Sequence, residues 1–260
     1  MNISIIGSGN LAWFMATRWQ KAGHHIVEIC SRNPQNAQAL ASVVGATVCE
    51  HQRELSAKAD VFLFALPDAV LAGQIARFPF QDKIILHGAG TQPLAGFEGG
   101  NSGVIWPLYS LHQSDLPVIR DIPVFWESRG TEAAKAVPEL AAALSNHCRP
   151  ADLNARMQLH LSAVFVNNFV NHLMAVTQNR MQELDLPFND SLQPIIQQTI
   201  ETALVGLSFE SQTGPAIRKD KVTMEKHLQL LSGHPEWQEI YQAISRSIQI
   251  FNTPKPDKKS

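Results

Sequence analysis

Gly7, Gly9 and Ala12 follow the apolar run Asn2-Ile3-Ser4-Ile5-Ile6 and open a stretch with apolar residues at helical spacing. A strand, a glycine turn and a helix start in that order suit a diphosphate. Gly7 permits a tight turn, the absent side chain at Gly9 leaves room for a pyrophosphate, and Ala12 lets the helix pack close on the strand. Ser8, Asn10 and Leu11 complete the turn, where unpaired N–H groups and the positive end of the helix dipole face an anion. The spacing Gly-x-Gly-x-x-Ala predicts a dinucleotide-binding turn. At the end of the next strand, about 20 residues on, an acidic side chain would bond a ribose diol. Here the residues are Ser31-Arg32-Asn33. Arg32 pairs with a 2′-phosphate while Ser31 and Asn33 donate hydrogen bonds, so the expected cofactor is NADP rather than NAD. Glu28 lies inside the strand, too early for the ribose. Leu66 and Pro67 end the fourth predicted strand, at the ligand edge of a parallel sheet, and flank the nicotinamide ribose. Asp68 is expected to cap the helix that follows.

A hydride transfer also needs a proton donor or acceptor beside the substrate. His87 follows the run Ile84-Ile85-Leu86, at the same edge. It either serves the substrate or is held by backbone hydrogen bonds. On a regular helical wheel His160, Asn167 and Asn171 fall within roughly 40° of one another, with Asn168 about 80° from His160. A polar stripe on an apolar helix needs partners. Those are a substrate and the nicotinamide amide, or other helices, or a second subunit. Thr213 and Gly214 precede an expected helix start with Arg218 one turn on, a place for a carboxylate or phosphate; the competing reading is a solvated face. Glu225 and His227 stand i, i+2 on a helix and diverge, so no metal site is expected.

The elements that position these residues follow from the apolar pattern. Short apolar runs alternate with helical segments over the first 150 residues. Strands are expected near 3–6, 25–30, 47–49, 61–66, 83–86, 104–108 and 122–126, and helices from Ala12 to Gly23, from Pro34 to Val44 and from Thr131 to Asn146, with Thr131 as N-cap. Runs this apolar suit parallel strands covered on both faces. Strand–helix alternation predicts an α/β fold, a Rossmann-type doubly wound, mostly parallel sheet. After Pro150 the pattern is helical throughout. The expected organisation is an NADP-binding domain over 1–151, an all-α C-terminal domain over 152–252 for substrate binding and dimerisation, and a disordered tail over 253–260. Asp152 to Leu184 reads as one helix of about 33 residues, roughly 50 Å long.

Composition excludes several classes. Lys and Arg number 21 against 23 Asp and Glu, a net charge of −2, which does not suit binding to nucleic acid or an anionic membrane. Three Cys without C-x-x-C spacing do not make a disulfide framework or a thiolate zinc site. The first residues form a strand with no basic leader, and polar residues interrupt the apolar stretch 159–176. These features lead to an expectation of a cytoplasmic protein that binds no membrane.

Five segments carry a resemblance: Gly7-Ser8-Gly9-Asn10-Leu11-Ala12, His87-Gly88-Ala89-Gly90-Thr91, Trp106-Pro107-Leu108-Tyr109-Ser110, His160 to Phe169, and Gln212 to Asp220. The chain resembles an uncharacterised Rossmann-like family labelled NADP oxidoreductases, with a C-terminal helical domain of unknown function. It is similar in architecture to pyrroline-5-carboxylate reductase and to deazaflavin-dependent NADP reductases. The chain departs from the family at Ala89, where a small hydroxyl residue is expected, so no side-chain chemistry is assigned there. The resemblance implies the fold and NADP and supplies no substrate. The resulting expectation is an NADP-dependent oxidoreductase acting on a small carbonyl or imine with an anionic group. The alternatives are a non-catalytic NADPH sensor or scaffold and a deazaflavin-linked NADP reductase. The length and apolar character of 152–184 lead to an expectation of a homodimer through the helical domain.

Overall fold

The computed structural model describes residues 1–97, 100–117, 121–206 and 210–252. The expectation of a disordered tail over 253–260 lies outside the described residues. The chain divides into two compact units, Met1–Asn168 and Phe169 onward.

The first unit is built on a sheet of eight strands in the order β3-β2-β1-β4-β5-β6-β7-β8. β1 (Asn2–Ile6) leads through α1 (Asn10–Lys21) to β2 (His25–Cys30), and α2 (Pro34–Val44) leads to β3 (Thr47–Cys49). The chain then crosses to β4 (Val61–Phe64), α3 (Asp68–Ile75), β5 (Ile84–His87) and β6 (Ser102–Pro107). Neighbouring strands from β3 to β6 run parallel. β7 (Val124–Arg129) pairs antiparallel with β6, and β8 (Cys148–Pro150), which the sequence pattern does not reveal, pairs parallel with β7. Reversal of strand order between β1 and β4 creates the crevice where such sheets bind ligands.

Local chemistry explains the element ends. Gly23 and Gly45, at φ +90° and +72°, take the left-handed backbone that ends α1 and α2. Asn33 caps α2, its Oδ1 accepting from Asn36 N at 3.0 Å, and Pro34 occupies the first turn. Two capping expectations are corrected. Pro67, not Asp68, precedes α3, which leaves Asp68 in the first turn and free for other work. α4 (Thr131–Leu144) is preceded by Gly130 at φ +95°, and its first amides are satisfied from a distance. Asn101 Oδ1 accepts from Glu132 N (3.0 Å) and Ala133 N (3.2 Å), so Thr131 is not needed as a cap. Ile3, Ile5, Met15, Trp19, Leu40 and Leu140 are among the buried side chains between sheet and helices on one face. Phe62, Phe64, Phe78 and Ile85 are among those filling the other face.

Past Pro150 the described residues hold helices and no strand. The long helix of the sequence pattern is a helical run from Leu153 to Glu183 with a π segment inside it: α5 (Leu153–Ala163), π turns over Val164–Phe169, then α6 (Val170–Glu183). The two compact units divide within this run, not at residue 151. By length and composition the run is apolar enough to cross a membrane, with mean hydropathy 1.2, and none of that window is buried in the chain. α7 (Phe188–Leu204), α8 (Lys221–Leu230) and α9 (Pro235–Phe251) complete the second unit.

Candidate active site

The glycine turn has the two properties that its sequence demands. Gly7 stands at φ +117°, donates its N–H to Cys30 O at 2.8 Å, and lies so close to β4 that a Cβ there would overlap the Ala65 carbonyl oxygen. Gly9 precedes α1 with ordinary backbone, and a Cβ there would meet no protein atom within 4 Å. The first glycine is therefore demanded by the fold, whereas the second faces open space beside a helix N-terminus with no side-chain cap. Ser8 and Ser31 join their hydroxyls at 2.8 Å, which fixes the turn to the end of β2.

A cavity of about 460 Å³ follows this edge of the sheet. Gly7, Ser8, Gly9, Ser31, Arg32, Asn33, Leu66 and Pro67, eight of the ten residues expected to hold the cofactor, line it together with His51 and Gln52. Arg32 is exposed at its wall. Asn33 commits its Oδ1 to the α2 cap and keeps only its NH₂ for a ligand. Asn10 and Leu11 do not line this cavity. Asn10 Oδ1 accepts from Gln113 N at 3.0 Å, and Leu11 packs over Gly88, where a Cβ would overlap its methyl group.

The loop after β5 is held from three directions. His87 is fully buried, with Nδ1 accepting from Ala89 N at 3.2 Å and Nε2 donating to Pro93 O at 3.0 Å. Burial above all, with Arg156 adding to it, lowers its pKa to about 4, against the opposing pull of the Pro93 hydrogen bond and Asp68. The expectation of His87 as a catalytic proton donor is therefore corrected: the neutral ring braces the loop, and both nitrogens are engaged. Asp68 Oδ2 accepts from the Thr91 hydroxyl and from Gln92 Nε2 (3.1 Å). Arg156, fully buried in α5, donates to Gly90 O (3.3 Å), Gln92 O (2.9 Å) and Ala151 O (2.9 Å) and pairs with Glu127 of β7. Arg156 has no place in the sequence-based site. Its signal is a single Arg in the first turns of an apolar helix, a charge that stays buried only if it is paired.

Of the helical candidates, His160 lies near this loop's packing partners. Its exposed ring is 6.2 Å from that of Trp106, and Trp106 in turn covers Gly90 so closely that a Cβ would overlap it. Asn167 and Asn168 fall in the π segment and are exposed, with no side-chain hydrogen bond among the described residues. The wheel that aligned Asn167 with His160 does not hold, because a π turn shifts the phase by about the 100° of one residue. Within the single chain the polar stripe is exposed, so none of the chain's other described helices is its partner.

The second unit also departs from expectation. Residues 215–219 form a turn, not a helix start, and α8 begins at Lys221. Asp220 caps it, accepting from Thr223 N (3.1 Å) and Thr223 Oγ1 (2.7 Å); these bonds first, then Arg218 and Lys226, hold its carboxyl below the ordinary range. A carboxylate of the chain thus occupies the helix terminus assigned to a substrate anion at Thr213, Gly214 and Arg218. Thr213 instead borders an apolar cavity of about 310 Å³ with Leu173, Trp237 and Tyr241. His227 bonds the Tyr241 hydroxyl at 2.9 Å.

Residues 2–87 match the family described as NADP oxidoreductase, coenzyme F420-dependent, and residues 122–248 match a domain of unknown function, DUF2520. A protein solved as a putative NADP oxidoreductase from Bacteroides fragilis is 32% identical, with a TM-score of 0.85 over 96% of this chain and 98% of that one. The chain belongs to this oxidoreductase family. More distant structures share the fold. A reductive aminase from Aspergillus terreus, solved with NADPH, is 18% identical with a TM-score of 0.69 over 96% of this chain and 92% of its own. A 1-pyrroline-5-carboxylate reductase from Streptococcus pyogenes is 13% identical with a TM-score of 0.60 over 96% and 98%. No curated protein matches the sequence.

The geometry of this family member generates two predictions. Gly9→Val places a side chain in open space, so urea unfolding changes by about 1 kcal/mol or less, the cost of a poor N-cap, while calorimetry shows dinucleotide binding lost; a folded variant that binds normally would contradict the turn's role. His87 titrates at about 4 folded against 6.5 unfolded, so above pH 6.5 it contributes no pH dependence. Below that, the unfolded chain takes up the proton first and the native state loses stability, by about 2 kcal/mol at about pH 5. Between about pH 7.5 and 5 the wild type is expected to lose that much more stability than His87→Asn, and equal losses would show that the imidazole is not buried neutral.

Proposed function

We propose that this oxidoreductase binds NADP(H) in the cavity at the carboxyl edge of the sheet and uses it to reduce or oxidise a small carbonyl or imine. The observation that carries the reading is the pairing of an unfilled cradle at Gly9 with Arg32 in the wall of the same cavity. The cradle fits a pyrophosphate, and the guanidinium fits a 2′-phosphate. When bound, the cofactor supplies the hydride chemistry. Helix α1 offers its first amides to the pyrophosphate, and Ser8 and Ser31 add hydroxyls. Leu66 and Pro67 bound the ribose at the nicotinamide end. The rigid loop 88–92 presents its backbone at the end of β5, and His160, exposed beside Trp106, is the imidazole that can hold or release a proton. The imine and carbonyl classes draw support from the reductases that share the fold. The anionic group expected of the substrate loses its argument with the helix start at Gly214.

The match that names coenzyme F420 covers residues 2–87, which contain the glycine turn and Arg32. In our reading it brings the NADP half of that description to this chain. A sensor without catalysis would have less need of an exposed imidazole such as His160 beside Trp106.

We further propose a homodimer through the helical region, within a cytoplasmic, reducing compartment. Met157, Leu161, Phe165 and Val166 are 45%, 53%, 59% and 73% exposed on the long helical run, more apolar surface than a soluble chain leaves uncovered. A second copy is the occupant we favour over a bilayer, because Arg156 ties the start of the run to Gly90 O, Gln92 O and Glu127.

Two measurements test these readings. Calorimetry is expected to show NADPH binding more tightly than NADH, and Arg32→Ala to remove about 1.5–3 kcal/mol of that preference; NADH binding as tightly to the wild type would contradict it. Light scattering at micromolar concentration is expected to give twice 28.7 kDa, and a monomer mass would refute the dimer.

A further inference from the structure

Cys30 and Cys49 end neighbouring parallel strands and are direct partners in the β2–β3 register. Adjacent strands lie about 4.7–4.9 Å apart, within the Cα separation of about 4.4–6.8 Å that a disulfide spans. The two side chains share one face and pack in the same apolar cluster. The neighbouring Cys49 thiol holds the Cys30 thiol below its ordinary value, against burial and the nearby Glu54 and Glu28. Both strand ends belong to the cofactor edge. Cys30 O accepts from Gly7 N at 2.8 Å, and Cys49 O accepts from Ser31 N at 3.3 Å. Cys30 is only 3% exposed, yet it lines the cavity with Gly7, Ser31 and Arg32. The third thiol, Cys148, is on β8 at the opposite edge of the sheet and donates to Ala141 O and Ser145 O.

We infer that Cys30 and Cys49 form a reversible disulfide in the wall of the dinucleotide cavity, and that a hydroperoxide reaches them only when that cavity is free of NADP(H). The Cys30 thiolate attacks one peroxide oxygen, the O–O bond breaks, and the leaving oxygen takes a proton to depart as water or an alcohol. The sulfenic acid left on Cys30 is attacked by the Cys49 sulfur, the S–O bond breaks, and water leaves as the S–S bond forms. Two thiols are oxidised and one hydroperoxide is reduced. The shielding by cofactor rests on the NADP(H) reading above; the disulfide itself does not.

The experiment uses the full chain. Reduced protein is treated with one equivalent of hydrogen peroxide, free thiols are alkylated, and peptides are read by mass, with and without NADPH. The expected product is a Cys30–Cys49 cross-linked peptide that dithiothreitol reverses and Cys49→Ser abolishes, with Cys148 still alkylated. Its formation should slow about tenfold with NADPH at about ten times its Kd, since only unoccupied protein reacts. Independent alkylation of Cys30 and Cys49 after peroxide would overturn the inference. An unchanged rate in protein that calorimetry shows to be saturated would overturn the shielding. If calorimetry shows no NADPH binding, the functional reading fails, and the mass of the peptide still decides the disulfide.

Discussion

Close backbone approach at the carboxyl edge of the sheet is the constraint on which the rest of the first unit depends. Gly7 passes the Ala65 carbonyl, Gly88 passes Leu11, and Gly90 passes Trp106, each too near for a Cβ. The three contacts draw β1, α1, β4, β5 and β6 together at one end. Peptide groups brought this close and out of water must be bonded. His87 and Arg156 meet that demand for the loop after β5, and Asp68 ties down the side chains of Thr91 and Gln92. Arg156 in turn is accommodated in the interior because Glu127 and three carbonyls surround it.

This arrangement separates two kinds of residue that look alike in a sequence. Gly7 and Gly9 are two positions apart, yet a Cβ at the first would overlap the protein's own backbone and one at the second would meet no protein atom within 4 Å. His87 and His160 are both histidines near the same loop. One is buried with both nitrogens bonded to backbone, and the other is exposed. Gly9, Arg32 and His160 are residues that the fold itself leaves open or exposed.

Much of the fold was legible because parallel strands buried on both faces leave continuous apolar runs, and because Gly23, Gly45 and Pro34 mark helix ends by backbone geometry alone. The eight cavity residues were legible for the same reason, since the turn and the end of β2 are local signals. What was not legible depends on distant partners. β8 has only three residues and exists because β7 offers it an edge. Arg156 finds two of its three carbonyls more than 60 positions away. Asn167 and Asn168 were misaligned because a regular wheel contains no π turn. Thr213 and Gly214 were misassigned because Asp220, a better cap, starts the helix later.

The central claim is that this edge of the sheet is a preformed NADP(H) site, and amide chemical shifts of isotope-labelled protein test it residue by residue. On titration with NADPH, the amides of Gly7, Ser8, Gly9, Ser31 and Arg32 and of the loop 88–91 are predicted to move together and saturate on one binding curve. NADH should move the turn and leave Arg32 largely where it was. Saturable binding that shifted other amides and left these in place would contradict the account.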